Sequence, residues 1–174
     1  MMNSLLNSLR RASRTMLALG LIAIGLIGAS AASAEEIYRG LLTNNQGALD
    51  LRAARFAFNP SLSFNKDLAQ IHAMPQQFRC ALRMDTVNAI PNVGDASPLV
   101  GFGHFTATFD ENPPHLPLGH VSVTPNVAMA NPAQRFANDL RNTALQNPLQ
   151  FNDEHIVGVR ETDDECRDRP KLLN

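Results

Sequence analysis

The chain has 174 residues, a formal net charge of −1, two cysteines and no tryptophan. Those values exclude a strongly basic nucleic-acid binder and a multi-span membrane protein. Charge is unevenly spread: residues 1–34 carry three arginines and no acid, leaving twelve basic against sixteen acidic residues beyond them.

The first 34 residues read as an address. Arg10, Arg11 and Arg14 precede a stretch from Thr15 to Ala34 without charge, apolar from Met16 to Ile27 and ending in Ala32-Ser33-Ala34. A basic region, a short apolar run and an Ala-x-Ala finish make a secretory signal peptide cut before Glu35. Three glycines and the small-residue ending argue against an uncleaved anchor. Leu9 and Ser13 fit general secretion better than the twin-arginine route. The expected compartment is the periplasm or beyond, in a bacterium. Residues 35–174 then form one β-rich domain with a polar C-terminal tail. In an oxidising compartment Cys80 and Cys166 are expected to form one disulfide.

Along this domain alternation at period two dominates. Ile37 to Thr43 reads as a strand, and Asn44-Asn45-Gln46-Gly47 as the turn after it. Leu49, Leu51 and Ala53 alternate with Asp50 and Arg52, and the parity slips at Ala53–Arg55 before Phe56 and Phe58. A short helix is expected from Asn65 to Ala73, stopped by Pro75. Phe78, Cys80, Leu82 and Met84 point one way, Arg79 and Arg83 the other. Leu99 to Phe109 reads as one strand with Phe105, Ala107 and Phe109 on a face; His120 to Thr124 pairs with it about Asn112. Asn131-Pro132 caps a helix burying Phe136, Ala137, Leu140 and Ala144 until Asn147-Pro148 ends it. Ile156 to Val159 is wholly apolar, as a central strand would be. The fold class expected is mainly β, a sandwich or barrel of about six strands with one or two short helices, and α+β as the alternative.

Common catalytic signatures are missing from the sequence: no Gly-x-Ser-x-Gly, no His-Glu-x-x-His, no phosphate-binding glycine loop. His104, His115 and His120 lie close together with Asp110 and Glu111 between them. If the hairpin closes at Asn112, His104 faces His120 across about 5 Å, a spacing that suits zinc or copper. The plainer reading is a wet face of a hairpin. Arg39, Arg52, Arg55, Arg79 and Arg83 form a second candidate, an anion-binding stripe, against a solvated face paired to acids such as Asp50. His72 and His155 stand alone at element edges. Residues 89–110, with Ala89-Ile90-Pro91 and Gly103 to Asp110, resemble the opening of chordin-type secreted β-domains; the paired-histidine motif and glycine-rich closing segment of that family are missing, and no function follows from the resemblance.

The function expected is therefore a non-enzymatic secreted or periplasmic domain with a binding or envelope role. It would have no cofactor and no nucleic-acid partner; a polysaccharide or protein is the candidate partner. The alternative is a small metal-binding protein or metal-dependent enzyme built on the histidine hairpin.

Overall fold

The computed structural model describes residues 34–76 and 78–173. The leader expected over 1–34 lies outside the described residues apart from Ala34. The first strand, β1 (Glu36–Leu41), buries Ile37 and Leu41 and leads into the expected turn. There Asn44 Oδ1 accepts from the Gln46 and Ala48 amides, both at 2.9 Å, and Gly47 takes φ +79°. The two-residue strand β2 (Leu49–Asp50) follows, and the parity slip at Ala53–Arg55 is a 3₁₀ turn that brings Phe56 into the core.

The next element differs from expectation. Asn65 does not open a helix but ends a strand, β3 (Leu62–Asn65), whose Leu62 and Phe64 face the core. The helix α1 (Leu68–Ala73) starts three residues later, capped by Asp67, which accepts from the Ala69 amide at 2.8 Å. In β4 (Cys80–Asp85) the expected alternation is present: Cys80, Leu82 and Met84 are fully buried, with Arg83 opposite. Phe78 departs from it. The chain bends at Arg79, and the Phe78 ring lies over Gly40, where a Cβ would meet Phe78 Cδ2 at 2.3 Å.

Leu99–Phe109 is two strands, β5 (Ala96–Leu99) and β6 (Phe102–Phe109), joined at Val100-Gly101, with Gly101 at φ +74°. A glycine between apolar neighbours hid the reversal. After β7 (His120–Pro125), α2 (Pro132–Gln146) buries the four residues its periodicity requires, with Asn131 accepting from the Gln134 amide at 3.1 Å. Asn147-Pro148 ends α2 and also opens α3 (Pro148–His155), with Asn147 accepting from the Gln150 amide. The strands β8 (Ile156–Gly158) and β9 (Lys171–Leu172) complete the described elements; β9 pairs in parallel with β2.

The main sheet runs β5-β6-β7-β3-β1-β4-β8, antiparallel throughout. It curls until β5 meets the chain that leaves β4. Past Asp85 the β4 chain reaches β5: Thr86 bridges Leu99, Val87 N donates to Pro98 O at 2.9 Å, and Val100 N donates to Asp85 O at 2.8 Å. Six strands thus close a barrel-like ring. Because the second half of that β4 edge is given to β5, β8 pairs only with Cys80–Leu82. It is a partly exposed edge strand rather than a central one.

Helix α2 covers one end of the barrel. Phe136 packs its ring 5.1–5.5 Å from those of Phe56, Phe102 and Phe105. On the outer wall α1 lays Leu68 and Ile71 against Tyr38, Ala81, Val157 and Val159. The Cys80–Cys166 disulfide, Cα atoms 5.6 Å apart, ties the start of β4 to the 3₁₀ turn Asp164–Cys166. Arg79 holds the same turn through Asp163 at 3.0 Å and Glu165 at 3.1 Å. On the entropic account a loop of this length stabilises the fold by about 4–5 kcal/mol.

Among the described residues no helix is long and apolar enough to cross a membrane.

Candidate functional site

The histidine hairpin closes in a different register from the one expected. β6 and β7 pair Phe109 with Val121 and Phe105 with Pro125. The turn is centred past Asn112, on Pro113–His115, because Asn112 bridges Leu116. His120 therefore meets Asp110, and His104 lies six residues further along β6, beside Asn126, whose amide donates to its carbonyl at 2.9 Å. Six strand residues span about 20 Å. The juxtaposition that suggested zinc or copper is not formed, and His115 is exposed in the loop. Among the described residues no three His, Cys, Asp or Glu side chains converge as a ligand set.

His120 has a different setting. It is 6% exposed, and its Nδ1 lies 2.7 Å from Asp110 Oδ1. A carboxylate only accepts, so Nδ1 carries the proton and Nε2 is the ring's remaining polar atom. A histidine oriented by a carboxylate is the arrangement found in two of the three members of a nucleophilic triad. The third is not in place: no hydroxyl among the described residues hydrogen-bonds to Nε2, and the Ser61 and Ser122 hydroxyls bond to each other at 3.0 Å.

His120 opens onto a cavity of about 160 Å³ in the outer wall, between β1, β3, α1 and the loop before β7. Its apolar lining comes from Ile71, Met74, Phe78 and Pro117. Asn65, fully buried, fastens the loop to the wall: Nδ2 donates to Leu118 O at 2.8 Å and Oδ1 accepts from Asp67 N at 2.7 Å. Gly119 makes this approach possible. Its φ is +72°, and a Cβ there would lie 2.6 Å from Asn65 Oδ1.

Arg39 supplies the cavity's charge. It shares a parity with the buried Ile37 and Leu41, so the strand turns a cation toward apolar surroundings. The side chain spans the splay between β1 and β3, which pair only at Tyr38 and Asn65. It donates to Ser63 O at 2.7 Å and Arg55 O at 3.1 Å. Burial lowers its pKa to about 10, so it remains a cation at neutral pH. None of the ion pairs among the described residues includes it.

The other four arginines of the expected stripe lie elsewhere, in three separate groups. Arg52 and Arg55 both hold the buried Asp50, at 2.7 and 2.8 Å, and first Arg52 and then Arg55 keep its carboxyl well below the usual range. Arg79 holds Asp163 and Glu165, and Arg83 bonds Glu36 and the carbonyls of Asp153 and Glu154. His155 Nδ1 meets Arg83 O at 3.0 Å, and His72 lies against Arg160. A more open groove of about 330 Å³ gathers Arg52, Arg141 and Lys171 beside Leu145, Leu172 and Leu173.

Sequence reasoning grouped Arg39 with the other arginines and Asp110 with the histidines, but missed Asn65, the separate setting of Arg39 and the Asp110–His120 contact. A signal existed for Arg39, a charged residue at the apolar parity of an alternating strand. Asn65 gave none, because β3 itself was unrecognised. No protein-family model, curated protein or solved structure matches this chain.

Proposed function

We propose that the chain is an exported, non-enzymatic binding domain of the bacterial periplasm or cell surface, acting alone or within an envelope assembly, with its ligand site in the outer-wall cavity. The carrying observation is that cavity: an apolar recess with a few convergent polar groups is the usual form of a small-molecule site. Arg39 and His120 each bring polar capacity that the described residues leave unused.

Two further observations support export. One is the disulfide, which belongs to an oxidising compartment. The other is Glu35, the residue expected to open the mature chain, which is built into the barrel. Its amide donates to Thr86 Oγ1 at 3.0 Å, and its carboxylate holds Lys66 Nζ at 2.6 Å and the Ile90 amide at 2.9 Å. A cut before Glu35 leaves the folded part whole.

The test uses protein recovered after export. Its intact mass should begin at Glu35 and show no free thiol. With methyl-labelled protein, titration with phenylacetate, phenylacetamide and phenethylamine should shift the Ile71 and Met74 methyl signals with at least one probe, while the core Met84 signal stays in place. If all three probes leave Ile71 and Met74 unmoved, the cavity is not a ligand site.

A further inference from the structure

We propose that the outer-wall cavity takes a small carboxylic acid with an apolar body, its carboxylate on Arg39 and its body against Ile71, Met74 and Phe78. The inference rests on that cavity being a ligand site.

Charge is the first argument. A guanidinium has five N–H donors and no acceptor. The two carbonyls that Arg39 meets, Ser63 O and Arg55 O, are neutral and take one donor each. Its neighbours in sequence class show the contrast: Arg52 and Arg55 share Asp50, and Arg79 has two carboxylates of its own. An arginine recessed among apolar groups without a counter-ion is short of an anion, and a planar carboxylate matches its fork.

Size and polarity supply the second. About 160 Å³ is close to the room a benzene ring needs, and too little for an oligosaccharide or a lipid with its headgroup. The remaining wall is a thioether, an aromatic ring and branched alkyl groups, which gain from covering an apolar body. Asp110 does not oppose the anion, because its carboxylate is engaged by His120 Nδ1.

Third, the rival cationic groove beside Arg141 and Lys171 is wide and open to solvent, and its Arg52 is already paired with Asp50. Screening there weakens any single anion contact.

The experiment compares phenylacetate with phenylacetamide, its neutral near-isostere, by calorimetry on the exported protein. Phenylacetate should bind about tenfold tighter or better, the ordinary worth of a charge-assisted hydrogen bond. Arg39→Gln should erase that preference and Arg39→Lys restore part of it. Circular dichroism and thermal melting of each variant confirm that it folds, and the acid-to-amide ratio on the unmutated protein stands even if one does not. Equal affinity for acid and amide, with Met74 shifting, would overturn the carboxylate proposal and leave the cavity as a site. Binding of neither probe would overturn both.

Discussion

The inner and outer walls of the same three strands are built by opposite rules. Inside, Ile37, Phe64 and Val121 are packed to exclusion, and Phe136 of α2 closes the space with its ring against several others. Outside, the same strands carry Asn65 and His120, both buried yet polar, while Arg39, on the inner parity, reaches across the seam between β1 and β3. These inner-wall positions are explained by volume. On the outer wall, volume explains α1 and Phe78, but not a recessed cation or a histidine oriented by a carboxylate. The proposed ligand site rests on that polar capacity beside an apolar lining.

That contrast can be broken in order of expected effect. Replacing both cysteines with serine should lose about 4–5 kcal/mol in urea unfolding, and the protein that still folds should keep its phenylacetate affinity. Phe136→Ala should lose about 3–4 kcal/mol, again with binding unchanged. If either variant lost binding while remaining folded, the two walls would not be independent.

Asp50→Asn sharpens the comparison, because Asp50 is a polar site fully satisfied within the protein. It should lose about 2–3 kcal/mol at neutral pH. Its carboxyl titrates lower in the folded state than in the unfolded one, so this contribution is complete above about pH 4 and fades as the pH falls further. Wild type and variant should therefore converge in acid-unfolding measurements. Gly119→Ala should lose about 1–2 kcal/mol through its positive φ and the encroachment on Asn65, and should weaken phenylacetate binding as the loop shifts. Arg39→Gln should change stability least, by about 1 kcal/mol, while affecting binding most. A large loss of stability with unchanged binding would make Arg39 a seam filler only.

Much of the inner wall was legible in the sequence. Cys80, Leu82 and Met84 announce their face by alternation, and Phe136, Ala137, Leu140 and Ala144 announce theirs by helical spacing, since burial imposes a period. The pairing of Cys80 with Cys166 followed from count and compartment. Register was not legible. Nothing local distinguishes a turn at Asn112 from one at Pro113–His115, yet that difference moves His104 about 20 Å from His120. β3 was hidden because Leu62 and Phe64 span too few residues to show a period before the cap at Asp67. The outer site depends on that strand and that register together, so its parts were visible only one by one.

The most direct measurement is a crystal structure of the exported protein with phenylacetate bound. The carboxylate should lie about 3 Å from the Arg39 guanidinium, with the phenyl ring between Met74 and Phe78 and the Asp110–His120 contact intact. Phenylacetate found instead against Phe136, or in the groove of Arg52, Arg141 and Lys171, would contradict the assignment of the outer wall as the binding face.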